Sequence, residues 1–245
     1  MTDATRTRSW LAALLLSLSI ATAGWFIGTG FREGRRNDRF VTVKGVSERS
    51  AKADLALWPI RFVSAGNDLA EVRRDNEGAR QKVERFLVEA GIPKDGIQVQ
   101  NIDVTDLYAQ AYRSGPVDNR FIIAQTMMIR TTDVDRVDAA SQRVMELVDA
   151  GVILNNQNGP SQGPIYLFTN LNDIKPGMIA EATQRAREAA EQFAGDSKSR
   201  LAGIRQANQG LFQILPRDNV PGTAEQSQID KTVRVVSTVE YRLED

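Results

Sequence analysis

Strand-like stretches in this chain come two at a time between amphipathic helices, and that spacing constrains its fold more than any other feature. Phe40 to Val46 alternates apolar and polar residues. Ala53 to Val63 follows directly and is apolar on both faces, with Pro59 implying a bulge or an edge position. Ile97 and Val99 keep one register and Ile102 and Val104 the other, which a bulge near Gln100 reconciles. Phe121 to Ile129 reads as a buried strand carrying Met127 and Met128, and short apolar runs follow at Ile165 to Phe168 and Leu211 to Leu215. The final strand sends Val233, Val235, Val239, Tyr241 and Leu243 to the core and Arg234, Thr238, Glu240 and Arg242 to water.

The spacing predicts three helices between these strands. The first carries Leu69, Val72, Ala79, Val83, Phe86 and Leu87 on one face, has Asp68 and Glu71 as a capping pair, and stops at Gly91. In the second, Val134, Val137, Val144, Leu147 and Val148 form the stripe, with Thr132 as cap and Gly151 at the end. The third starts near Asp173 with Pro176 in its first turn, where a missing N–H costs nothing, and buries Ile179, Ala182, Ala186, Ala189 and Phe193. So small a face implies close approach to a sheet or to a partner helix. The resulting order, ββ-α-ββ-α-ββ-α-ββ, argues for an α+β fold with mainly antiparallel sheets rather than a parallel, doubly wound one.

Composition narrows function more than fold. The chain has no Cys and no His. That removes thiolate chemistry, zinc–thiolate sites, imidazole metal ligation and every Ser-His-Asp arrangement. A formal net charge of zero favours neither nucleic acid nor an anionic surface. The expectation is a protein without catalytic activity, cofactor or nucleic-acid partner.

From Trp10 to Gly28 there are 19 residues without a charge. As a helix they extend roughly 28 Å, enough for a bilayer core of about 30 Å. Residues 1–9 are then a short tail, 10–28 a transmembrane signal-anchor that partners the lipid bilayer, 29–39 a juxtamembrane linker and 40–245 one folded domain. A cleaved leader competes: Arg6 and Arg8 precede an apolar core, and Ala21-Thr22-Ala23 fits a cleavage site after Ala23. Trp10 and Trp25, one near each end, favour the anchor as an interfacial aromatic pair. Arg32, Arg35, Arg36 and Arg39 after the segment, against Arg6 and Arg8 before it, point toward a cytoplasmic domain, whereas a first segment with so short a tail acts as an exporting signal-anchor. Gly24 and Gly28 also form a GxxxG pair, read as a flexible interfacial turn rather than a helix-pairing face.

Few clusters invite chemistry. Asp133, Asp135 and Asp138 lack the Gly and closing Glu of a calcium loop and sit in the first turn of a helix. Asp103 and Asp106 with Tyr108 and Tyr112 form the one acid pair with aromatic neighbours, as a hydrolase or a sugar-binding domain uses. Arg73, Arg74 and Arg85 with Glu71, Glu77 and Glu84 read as a solvated helix face. The loops Asn155 to Gly163 and Arg113 to Pro116 are rich in turn residues, which ordinary turn chemistry explains, with a protein-contact surface as the competing reading.

Several stretches taken in order carry a family pattern. Ala53-Asp54-Leu55-Ala56 opens the second strand, and a helix then ends in Leu87 and Ala90-Gly91-Ile92. Asp95-Gly96-Ile97-Gln98-Val99-Gln100 follows, then Tyr108 and Tyr112, Phe121 to Ala124, and Asp133-Val134-Asp135. The Ala- and Arg-rich stretch Ile179 to Ile204 ends in Leu201-Ala202-Gly203-Ile204. Over residues 40 to 245 the chain resembles the SIMPL-domain family, also called domain of unknown function 541. The resemblance implies an inner-membrane, single-pass α+β protein with its domain in the periplasm, or a periplasmic one after leader cleavage. It implies a homo-oligomer or an envelope protein partner and a link to oxidative or envelope stress, and it supplies no catalytic residue.

Overall fold

The computed structural model describes residues 16–30, 39–109, 118–155 and 163–244. Residues 16–30 form a helix, α1. Then come β1 (Phe40–Lys52), β2 (Leu55–Gly66), α2 (Leu69–Glu89), β3 (Ile97–Asp106), β4 (Phe121–Thr131), α3 (Val134–Gln142), α4 (Met145–Asp149), β5 (Ile153–Leu154), β6 (Ile165–Leu167), α5 (Leu171–Asp196), β7 (Arg200–Gln209), β8 (Gln213–Pro216) and β9 (Asp230–Glu244). The class is α+β with antiparallel pairing, as expected, but the described residues hold five helices rather than three plus an anchor. Three strands, β7, β8 and β9, follow the last helix where two were expected.

These residues divide into two compact units. One is drawn from Met1–Ser47, Ile179–Leu211 and Val235–Asp245, the other from Glu48–Met178 and Phe212–Arg234. Both units draw residues from the stretch beyond residue 40. One sheet has the order β1-β9-β7, with β8 also on β9, and the other runs β3-β4-β2 and ends in β5, with β6 also on β2.

In the larger unit, α2 and α3 cover one face of β2 and β4. Trp58, Ile60, Phe62, Val83, Phe86, Leu87, Met127, Ile129, Val137 and Leu147 make its core. Asp68 caps α2 by accepting from the Glu71 N–H, and Gly91 takes a positive φ of 82° beyond its end, which a side chain would resist. The predicted second helix is interrupted. Asp133, not Thr132, caps α3 by accepting from the Arg136 N–H, and the chain breaks at Arg143–Val144 before α4. Leu147 stays in the core while Val148 turns to solvent, because the break rotates the stripe.

In the smaller unit, α5 lies on β1 and β9 around Val43, Ala186, Ala190, Val239 and Tyr241. Its buried residues repeat every fourth position, Ala182, Ala186, Ala190 and Ala194. Phe193, expected on that face, is 58% exposed, because the true stripe keeps a strict four-residue spacing that leaves position 193 to one side. The contact is backbone against backbone: a Cβ on Gly45 would stand 1.8 Å from the Ala182 carbonyl oxygen and 2.5 Å from the Ala186 nitrogen. Ser47 donates to Glu181 at 2.8 Å and Arg185 donates to the Val46 carbonyl at 2.9 Å, tying helix to strand.

Helix α5 begins at Leu171, two residues before the expected Asp173, so Pro176 falls inside it rather than in its first turn. The cause is Asp54. Its carboxylate accepts the N–H groups of Thr169 and Asn170 and the Thr169 hydroxyl, which organises the chain ahead of the predicted start. Strand β9 has the expected alternation, yet its core side also carries Ser237 and the fully buried Lys231. Lys231 Nζ lies 2.6 Å from Glu225 Oε1, which is how a buried ammonium is tolerated. Strand β8 starts at Gln213, and Leu211, expected to open it, is exposed.

Among the described residues no helix is long and apolar enough to cross a membrane. Helix α1 spans about 22 Å at 1.5 Å per residue, and Trp10 to Leu15 of the predicted anchor lie outside the described residues. Leu16, Leu18, Ile20, Trp25, Phe26 and Ile27 of α1 are all exposed. The Thr22 and Thr29 hydroxyls donate back to the Leu18 and Trp25 carbonyls, each at 2.9 Å, so both are satisfied within the helix.

Candidate interaction surface

The acid pair singled out from the sequence does not converge. Pairing with β4 sets Asp103 opposite Ala124 and Asp106 opposite Phe121, positions of opposite parity, so the two carboxylates stand on opposite faces of the sheet. Asp103 meets Arg61 at 3.3 Å and accepts from the Asn101 amide. Asp106 meets Arg120 at 2.9 Å and accepts the Tyr108 N–H. The Arg120 hydrogen bonds hold the Asp106 carboxyl below the usual carboxylate range, which suits an ion pair and not a general acid. The same guanidinium lies 5.4 Å from the Tyr108 ring centroid. Tyr112 and the Arg113 to Pro116 tip lie outside the described residues, as does most of the Asn155 to Gly163 loop.

The other acidic cluster is taken up by structure. Asp133 caps α3, Asp135 pairs with Lys52, and Asp138 accepts a 3.0 Å hydrogen bond from the Tyr166 hydroxyl. Burial first, then the Asp138 charge, push the Tyr166 phenol upward, so it stays protonated and acts as a donor. Among the described residues no three acidic side chains are grouped to hold a metal ion.

Tyr166 and Asp138 edge a cleft of about 570 Å³ that also takes in Trp58, Gln142 and Gln226. It opens where the ladder on β2 is interrupted: β6 pairs with Leu55 to Leu57 and β5 with Phe62 and Val63. The Arg61 carbonyl accepts from Asn155 N–H on this side, so odd-numbered residues of β2 turn their backbone groups toward it. Pro59 is one of them, and its missing N–H falls in the interval. That explains how a proline sits in a central strand.

A different surface is bare. Helix α2 packs over β2 and β4 and stops short of β3. On the helix side of β3, Val99, Ile102 and Val104 are 49%, 54% and 57% exposed. With Leu69, Asn76, Ile123 and Gln125 they line a groove of about 580 Å³. Among the described residues β3 pairs with β4 alone, so no described strand lies along its outer backbone edge. The smaller unit repeats the arrangement. Among the described residues β7 pairs with β9 alone, Ile204 is exposed, and Leu201, Ile204 and Tyr241 line a groove beside α5.

Sequence reasoning found part of this surface and missed the rest. The two registers of β3 and the bulge are where they were expected, with the ladder shifting between Val99 and Asn101. That the apolar row stays uncovered has no sequence signal. Strand β7 was not anticipated: RLAGIRQANQ has no alternation, because almost every residue in it is exposed. Its ladder shifts twice, on either side of Ile204.

No curated protein matches the chain. Residues 41–241 match the family model SIMPL, described as a protein of unknown function, DUF541. The match runs from the start of β1 to Tyr241 near the end of β9, which takes in all of the larger unit and the smaller one apart from the residues before β1 and the chain's last four, and the chain belongs to the SIMPL family.

Proposed function

We propose that this SIMPL protein is tethered to the inner membrane by residues 10–28, holds its two folded units in the periplasm, and works by contact with copies of itself or with an envelope protein rather than by catalysis. One observation carries the reading: the open edge and uncovered apolar row of β3. Monomeric soluble proteins blunt such edges with charge or cover them. The apolar, solvent-exposed side chains of α1 and its self-satisfied threonines support the tether, since lipid rewards apolar surface and leaves no water for stray hydroxyls. The ion-paired state of Asp103 and Asp106 supports the absence of acid–base work there. A part in envelope or oxidative stress tolerance belongs to the same proposal.

The test has two arms. A topology reporter fused after Asp245 is expected to read periplasmic, and a cytoplasmic reading sinks the localisation. Light scattering on the full chain in detergent is expected to give a protein mass of several copies. A monomer that also retrieves no envelope partner sinks the contact role.

A further inference from the structure

Resting on the contact role proposed above, we infer that the groove between α2 and β3 is a receptor for the carboxyl-terminal end of an apolar polypeptide. The floor of this groove is more than an uncovered piece of core. Gln125 lies on the helix side of β4, between Phe62 and Ile102 of the neighbouring strands, and its neighbours on that face, Ile123 and Met127, are apolar. The Gln125 side chain is 3% exposed, lines the groove and makes no hydrogen bond among the described residues. Asn76, 5% exposed on α2, faces the same space. Its amide nitrogen reaches only the Ile123 carbonyl, at 3.5 Å, and its own carbonyl accepts nothing among the described residues. A buried carboxamide without partners costs stability, so a fold that had only to close this core would carry an aliphatic residue at position 125.

Three kinds of surface meet here, and one ligand class matches all of them. Val99, Ile102 and Val104 call for apolar side chains. The two carboxamides, each with donors and an acceptor, match the N–H and C=O groups of a polypeptide backbone. Arg73 stands on the rim and holds no hydrogen bond or ion pair among the described residues. The other rim charges are engaged, Glu77 with Arg80 at 2.6 Å and Arg80 also with Glu84 at 3.1 Å. A guanidinium in that state beside an apolar groove fits a terminal carboxylate. An acyl chain would leave both carboxamides unmatched, and a sugar would leave the aliphatic row without a partner. From Arg73 to Arg80 the helical wall runs roughly 10 Å at 1.5 Å per residue, the length of about three residues of extended chain. With its carboxylate at Arg73, such a chain runs past Asn76 and Gln125 toward Val99.

The probe is the peptide Gly-Ser-Leu-Val-Ile, labelled with fluorescein at its amino end and titrated with the full chain in lipid nanodiscs, empty nanodiscs serving as the blank. Saturable binding is expected, and the carboxyl-terminal amide of the same peptide should bind on the order of tenfold more weakly. Arg73→Gln should erase that difference. Gln125→Leu should weaken both peptides on the order of tenfold while leaving the denaturant midpoint equal or higher, a combination that a purely structural glutamine would not give. Absence of saturable binding overturns the inference, as does a Gln125→Leu chain that loses stability and still binds. Equal affinity for the acid and the amide overturns the terminal assignment. Binding of sodium dodecanoate in place of the peptide overturns it in favour of a lipid ligand. Multi-copy mass that Gln125→Leu dissolves, without peptide binding, overturns it in favour of a second copy. In each case the contact role stands if light scattering shows several copies or the chain retrieves an envelope partner, and it falls with the inference if neither happens.

Discussion

The two units each lay a helix on an antiparallel sheet, and they do it with opposite materials. In the larger unit α2 and the strands beneath it meet through Val83, Phe86, Leu87, Phe62 and Met127, whose side chains interlock. In the smaller one, α5 meets β1 through Ala182, Ala186 and Gly45, so the helix backbone itself is the packing surface. The lesson concerns what each contact can tolerate. A core of large side chains is injured by removing atoms, and a backbone contact is injured by adding them.

Substitutions that trade the two materials test this directly. Phe62→Ala removes the largest fully buried side chain and is expected to cost about 3–5 kcal/mol, read from denaturant unfolding of the larger unit. Gly45→Ala adds one methyl and is expected to cost about 3 kcal/mol, the upper end for overpacking. Faster amide exchange across Ala182 to Ala194 would accompany it. Gly203→Ala, at a position with open space around it, serves as the control and should change stability little. A tolerated Gly45→Ala with normal exchange in α5 would break the comparison.

A smaller effect concerns how the helices start. Helix α2 is capped by its neighbour Asp68, whereas the approach to α5 is organised by the distant Asp54. Burial pushes the Asp54 carboxyl up, but the N–H groups of Thr169 and Asn170 and the Thr169 hydroxyl outweigh it and hold it below the usual value. Its contribution is therefore complete above the unfolded Asp value and is lost as pH falls through the lower folded value. Asp54→Asn should cost about 1 kcal/mol at neutral pH, the typical value of a capping interaction, and should flatten the acid limb of the stability profile. Smallest is Ser237→Ala. The Ser237 hydroxyl is buried with no hydrogen-bond partner among the described residues, so its removal should be neutral or slightly stabilising. A clear loss of stability would mean that this hydroxyl has work the packing does not reveal.

Legibility in the sequence followed burial. Strand β9, buried on alternate residues, could be read almost residue by residue, and so could α2 with its local cap, except that Leu69 at its start is exposed rather than buried. The bulge in β3 could be read because its apolar row changes register. The break between α3 and α4 could not, since Val144, Leu147 and Val148 keep a helical spacing across it. Nor could β7, whose exposed residues record no preference for a face. The start of α5 depends on a carboxylate more than a hundred residues earlier in the chain, a tertiary contact that local propensity does not encode. The same reason explains the acid pair: Asp103 and Asp106 are close in sequence, but strand alternation around the bulge sends them to opposite faces.

The approach of α5 to Gly45 also bears on how stability varies with temperature. Alanine and glycine have no rotamers to freeze, so this contact forms with little side-chain entropy cost. It also removes less apolar surface per residue than the Phe and Leu core of the larger unit, and the heat capacity of unfolding scales with that surface. The smaller unit therefore has the flatter stability curve per residue, and the larger unit the more sharply domed one. Warming and deep cooling therefore change stability more steeply, residue for residue, in the part of the molecule with the larger side chains.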